Sequence, residues 1–207
     1  MVVTEIKEFT KDRLIIKLDE EFAFVLYKGE LHTYGIKLNE EIAEENYLKI
    51  TEEVLPKRAK LRAMNLLTKR TYTSYQLAQK LKTGGYSEQI IAEAIAYVAS
   101  FGYINDEQYA VDYIEYNMNR KNRMRIFTDL QQKGISKDLC KSVWEQVAGD
   151  NTAELEKEQI SQWLRKKNYS VETADYSEKQ KMMASLYRKG FSMDVIRSVL
   201  SLDITPI

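Results

Sequence analysis

The residues of strongest chemical character in this chain are its cations, and they are clustered. Arg120-Lys121-Asn122-Arg123-Met124-Arg125 places four positive charges within six residues, and Lys133 follows in the same segment. Lys57, Arg58, Lys60 and Arg62 form a second group, which Lys69, Arg70, Lys80 and Lys82 extend. Guanidinium and ammonium groups at that density suit phosphate oxygens or an acidic protein surface. The plainer reading is solvated side chains, whose exposed ion pairs contribute little. Catalysis has less to work with. His32 is the sole histidine and Cys140 the sole cysteine, so neither a Cys/His metal set nor a histidine-based nucleophile can be assembled. Gly84-Gly85 lacks the lysine and spacing of a phosphate-binding loop. Asp106 and Glu107 are adjacent, would point apart on a helix, and read as helix-start residues. No catalytic residue, metal or cofactor is expected.

The 207 residues carry 31 Lys+Arg against 31 Asp+Glu, and the charge is segregated along the chain. Residues 1–56 hold 7 cations against 13 anions, residues 57–148 hold 15 against 9, and residues 149–207 hold 9 of each. Such asymmetry bears on partners, and the basic middle is the place to look for one. The longest uncharged apolar-rich stretch, Ala94–Asn105, has 12 residues and is too short to cross a bilayer. One cysteine and no basic-then-apolar leader fit a cytoplasmic protein.

What must position the cations is a phrase repeated three times. It reads Leu81-x-x-x-Gly85-Tyr86-Ser87, Leu130-x-x-x-Gly134-Ile135-Ser136 and Leu186-x-x-x-Gly190-Phe191-Ser192. A helix runs to the leucine, the glycine closes it in the left-handed conformation, and the serine caps the next helix. An apolar stripe follows each time: Ile90, Ile91, Ala94, Ile95 and Val98; Leu139, Cys140, Val143, Trp144 and Val147; Val195, Ile196, Val199 and Leu200. By this alignment Cys140 and Trp144 are core residues. The phrase is scaffold, and the cations on the helices around it do the binding.

In chain order, the period-two pattern of residues 4–27 predicts a hairpin or three-strand meander, turning at Asp19-Glu20-Glu21, with Phe22, Phe24 and Leu26 on one face. Asn39 is read as the cap of an acidic helix over 40–55, which Pro56 ends. Three-helix repeats are expected over 57–104, 105–149 and 150–207, with the sheet and acidic helix as a separate segment over 1–56. The fold is therefore mostly α: three tandem three-helix repeats in an elongated, curved array behind a small N-terminal sheet. The glycine-hinged helix pairs are similar to DNA-reading helix–turn–helix units. The third helix of each repeat, however, is poor in arginine and asparagine for base edges, which disfavours sequence-specific reading.

Several stretches resemble the bacterial recombination regulators of the RecX family. They are Ala63-Met64-Asn65-Leu66-Leu67-Thr68-Lys69-Arg70 with Ser74-Tyr75-Gln76-Leu77 and Lys80-Leu81; Gly102-Tyr103-Ile104-Asn105-Asp106 with Tyr109-Ala110; Arg125-Ile126 with Leu130-Gln131-Gln132-Lys133-Gly134-Ile135; and Arg188-Lys189-Gly190-Phe191. The match covers about residues 57–202. The resemblance implies a non-enzymatic modulator that lies in the groove of the RecA–single-stranded-DNA filament and inhibits ATP hydrolysis, strand exchange and co-protease activity. It implies a RecA partner and single-stranded DNA met directly or through RecA; no membrane partner is expected, and a monomer is expected. Gln76 and Asn122 depart from the family's usual acidic residue and glycine, and the acidic N-terminal region argues against strong independent DNA binding. A standalone nucleic-acid-binding helical module is the alternative.

Overall fold

The computed structural model describes residues 1–202; the last five residues of the third expected repeat, 203–207, lie outside them. The chain forms two compact units, Met1–Asn105 and a second beginning at Asp106. The first opens on an antiparallel meander of β1 (Val3–Thr10), β2 (Arg13–Leu18) and β3 (Glu21–Tyr27). Its hairpin turn is two residues long, Asp19 and Glu20, both at positive φ. That backbone matches the twist of the strands but strains side-chain-bearing residues. It is held by β1 and the residue before it: Asp19 Oδ1 accepts from the Val2 amide at 2.9 Å, and the Glu20 amide donates to Thr4 Oγ1 at 2.8 Å. The register pairs Ile16 with Phe24 and Leu14 with Leu26, then slips between Ile16 and Lys17. The slip turns Phe22 outward, leaving it 49% exposed where strict alternation had placed it with Phe24 and Leu26.

A short helix α1 (Glu30–Thr33) leads to α2 (Glu44–Leu48), a π-helical stretch (Lys49–Val54) and α3 (Leu55–Leu67). Two expectations fail here. Asn39 does not cap a helix; it occupies a left-handed turn at φ +64. Pro56 does not end a helix either, because the helical path runs from Glu44 to Leu67 without interruption. Proline lacks the amide hydrogen and crowds the carbonyl one turn before it, and the wider π turns lie just where that strain falls.

The rest of the first unit is α4 (Ser74–Lys82) and α5 (Glu88–Ser100). Thr73 caps α4 in a reciprocal box with Gln76. The second unit comprises α6 (Asp106–Asn117), α7 (Arg123–Gln132), α8 (Lys137–Ala148), α9 (Thr152–Lys166), α10 (Tyr176–Arg188) and α11 (Met193–Leu200). The phrase glycines behave as expected: Gly85, Gly134 and Gly190 lie at φ +87, +86 and +90. After the second and third, Ile135 and Phe191 donate back to the carbonyls of Leu130 and Leu186, the closing bond of a Schellman turn. The leucines Leu81, Leu130 and Leu186 are fully buried, as is Cys140. Ser87 and Ser136 cap their helices through the amides of Ile90 and Leu139. Ser192 stands at the same position but does not cap. Its amide and hydroxyl both donate to Glu156 Oε2, at 2.9 and 2.6 Å, and these two bonds to a buried carboxylate set where the hydroxyl sits.

What each glycine packs against differs. A Cβ at Gly85 would collide with Val25 of β3, so the first repeat seats on the sheet through its turn. A Cβ at Gly190 would lie 2.6 Å from Met124 Cβ, so the third repeat seats on α7 of the second. Polar contacts reinforce that seat. Asn122 Nδ2 donates to the Lys189 carbonyl at 2.7 Å, and Gln159 Nε2 donates to the carbonyls of Met118 and Lys121 at 2.5 and 3.1 Å.

Candidate functional site

The structure sorts the thirteen cations singled out from the sequence into bound and open groups. In the second unit most are bound. Lys121 Nζ lies 2.8 Å from Asp129 Oδ2 and donates to the Tyr113 hydroxyl at 2.9 Å. Arg125 Nε lies 3.0 Å from Asp129 Oδ1, and Tyr113 Oη donates to Asp129 Oδ2 at 2.9 Å. Asp129 is nearly buried. The hydrogen bond from Lys121 holds its carboxyl below the usual aspartate value, and the same bond holds Lys121 above the usual lysine value. Arg123 lies over the rings of Phe127 and Trp144 at 5.1 and 5.6 Å. Lys133 sits near the rings of Tyr109 and Tyr113. Arg120 lies over the exposed Tyr116, donates to its hydroxyl at 3.2 Å, and opens onto a cleft.

That cleft, about 320 Å³, is lined by Arg120, Lys166, Lys189, Trp163 and amide side chains including Gln162, with no carboxylate in its wall. Lys189 Nζ lies 5.4 Å from the Trp163 ring centroid. Lys166, Lys189 and Trp163 are not grouped with Arg120 by the sequence, because they lie 38 or more residues beyond Arg125 and meet that run only through the seating of α9 and α10.

In the first unit the cations spread over several faces. Lys60 lies over Tyr97 at 5.4 Å and Arg70 over Tyr72 at 4.3 Å. Lys82 pairs with Glu88 at 3.2 Å, and Lys57 and Lys69 are exposed. Arg58, Arg62 and Lys80 converge on a cleft of about 550 Å³ with Tyr86 and with Arg13, a residue of β2 that lies outside both basic clusters of the sequence. Arg58 pairs with Glu30 and lies over the Tyr27 ring at 4.8 Å. Arg13 Nη1 donates to the Gly84 carbonyl at 3.0 Å and its guanidinium lies over Phe9 at 5.0 Å. Burial pushes the Tyr86 phenol above its usual value, against the pull of Arg58, Arg13 and Arg62, so it stays a neutral O–H donor.

Among the described residues no group of three or more His, Cys, Asp or Glu is placed to hold a metal ion, and no helix is long and apolar enough to cross a membrane.

A regulatory protein RecX of Caldanaerobacter subterraneus subsp. tengcongensis is 33% identical over 204 residues, covering 98% of this chain and all of the relative. The chain belongs to the RecX family. Regulatory proteins RecX of Clostridium botulinum and Clostridioides difficile are 26% and 28% identical over 95% and 97% of the chain. Models of the first and third three-helix domains of RecX match residues 59–97 and 154–200. A crystal structure of regulatory protein RecX superposes with a TM-score of 0.63 at 23% identity, covering 98% of this chain and 99% of that one. A second, of RecX from Lactobacillus salivarius, gives 0.61 at 22% identity over 72% of this chain and 96% of that one. At those identities the structures show the fold alone. Within this RecX-family chain, the Gly102–Asp106 motif is the junction between the two units, with Gly102 left-handed at φ +69 and Ile104 buried.

Proposed function

We propose that this RecX-family chain is a non-enzymatic regulator that binds the RecA–single-stranded-DNA filament and inhibits RecA ATP hydrolysis, strand exchange and co-protease activity. The observation that carries the reading is the match to a regulatory protein RecX along the whole of both chains. The basic clefts fit it: a nucleoprotein filament presents phosphate and acidic protein surface, and open guanidinium groups suit both. The binding groups are the cations that line the two clefts, Arg58, Arg62 and Lys80 in the first unit and Arg120 in the second. Lys57 and Lys69 extend the basic surface. The protein acts in the cytoplasm, as a monomer. The test is to add the chain at substoichiometric amounts to its cognate RecA on single-stranded DNA. ATP hydrolysis should fall, and unchanged hydrolysis and filament length would sink the proposal.

The clefts also favour a second reading, a standalone nucleic-acid-binding module. Gel mobility shift without RecA at two salt concentrations separates the two. Tight, salt-sensitive binding in the absence of RecA, with no effect on RecA, favours the module.

A further inference from the structure

The cleft of the first unit holds four cations from three separate elements: Arg13 from β2, Arg58 and Arg62 from α3, and Lys80 from α4. Asp12 is the one carboxylate in its wall, and Glu30 reaches Arg58. Two cations are held in place by the fold. Arg13 is fixed by the Gly84 carbonyl and the Phe9 ring, and Arg58 by Glu30 and the Tyr27 ring. A guanidinium has five N–H donors, so each retains donors beyond the bonds that position it. The other two, Arg62 and Lys80, are exposed, and their charged side-chain groups form no ion pair or hydrogen bond with any described residue. Four like charges against fewer anions repel one another at this range. A fold that immobilises two of them there and leaves two unpaired is arranged for an anion to enter.

We propose that this cleft is a phosphate site for the backbone of single-stranded nucleic acid, and that the N-terminal sheet supplies one of its ligands through Arg13. Phosphate suits the forks of Arg13 and Arg58, which present parallel N–H groups to a tetrahedral anion. The Tyr86 hydroxyl adds a neutral donor. The half-exposed Tyr27 ring beside Arg58 supplies the aromatic partner that single-strand sites combine with their cations. At about 550 Å³ the cleft has room for more than one phosphate group. The site deepens the filament reading, on which it rests for the polynucleotide as the source of the phosphate.

The experiment uses the full chain, without RecA, and fluorescence anisotropy of a labelled oligothymidylate across a series of salt concentrations. Arg62→Gln with Lys80→Gln should weaken binding about tenfold and flatten the salt dependence by about 0.7 in log–log slope for each cation removed. Arg13→Gln should flatten it by one further step of that size, and Arg13→Lys should restore the slope. A merely structural role for Arg13 would shift affinity without changing the slope. Lys49→Gln, an exposed cation outside the cleft, is the control for net charge. Affinity and slope unchanged in the double variant would overturn the proposal, and because both side chains are exposed that variant keeps its fold even where Arg13→Gln does not. Inorganic phosphate and polyglutamate are run as competitors on the wild type. Thermal stabilisation by inorganic phosphate that the double variant loses, with oligothymidylate binding untouched, would reassign the cleft to free phosphate. Displacement of the oligonucleotide by polyglutamate at equal charge would reassign it to acidic protein. RecA ATPase assays on the same variants keep the two proposals apart. A wild type without effect on RecA sinks the filament reading and leaves the phosphate site standing, whereas inhibition retained alongside an unchanged salt slope does the reverse.

Discussion

The two units are built from the same repeat phrase and use both its glycine and its neighbouring cations differently. In the first unit the phrase glycine presses on a strand, and the cations nearby converge from three elements on an open cleft. In the second unit the third repeat's glycine presses on Met124, and the densest cation run of the chain is gathered onto one buried carboxylate and a set of aromatic rings. Charge density along a sequence is therefore a poor guide to charge on offer. Lys121 and Arg125 belong to the richest basic stretch, yet both are tied to Asp129. Arg13 stands alone in a strand, yet it completes the better site. Reversing the charge of the whole 120–125 run would test folding as much as binding, since two of its four cations hold Asp129.

The largest expected effect concerns the seat of the third repeat. Gly102 and Gly190 are both at positive φ, but a Cβ at Gly102 meets nothing within 4 Å and one at Gly190 meets Met124. Gly102→Ala should cost about 1 kcal/mol through backbone strain alone. Gly190→Ala should cost about 3 kcal/mol, the strain plus displacement of α7. Equal losses in urea denaturation would show that the packing on Met124 contributes nothing and that the third repeat is not seated through its glycine.

Next comes the carboxylate that distinguishes the second unit. Asp129→Asn keeps the shape but removes the charge that holds Lys121 and Arg125, and should cost about 2 kcal/mol. It should also release both cations, so oligonucleotide affinity rises or holds while stability falls. A parallel fall in both would mean that the bound cations of the second unit are its working ones.

The same group gives a pH signature. Its folded value is depressed, chiefly by the hydrogen bond from Lys121, so the stability it contributes is present above the unfolded value and lost as pH falls through the folded one. As pH falls below about 4, the ordinary aspartate range, wild-type stability should drop more steeply than that of Asp129→Asn. Glu5 carries a depression of the same sign through Lys17 in the sheet, so the measurement is the difference between the two proteins and not the wild-type slope. Parallel curves would remove Asp129 from the account.

The backbone of this design was legible in the sequence because its causes are local. A glycine four residues after a leucine, then an apolar residue and a serine, specify a helix end within a few bonds, and all three glycines take the left-handed form. Three features were not legible, each for a non-local or competing reason. Ser192 is drawn from its capping position by a carboxylate 36 residues earlier in the chain. Arg13 reaches a carbonyl 71 residues away. Pro56 should end a helix by its own chemistry, but the turn before it widens and lets the helical path continue.

The smallest effect is the sharpest test of the comparison. Arg62 and Lys80 are exposed and unpaired among the described residues, so replacing both by glutamine should change stability by no more than about 0.5 kcal/mol. The sign should be slightly favourable at low ionic strength, because removing two of four converging charges relieves their repulsion, and the gain should vanish as added salt screens it. Lys121→Gln should instead lose about 1 kcal/mol, since it deprives Asp129 and Tyr113 of a hydrogen bond at once. A loss of that size in the Arg62/Lys80 variant would show that the first unit also employs its cations to hold itself together. The contrast between open and bound charge would then fail at the place where it matters for function.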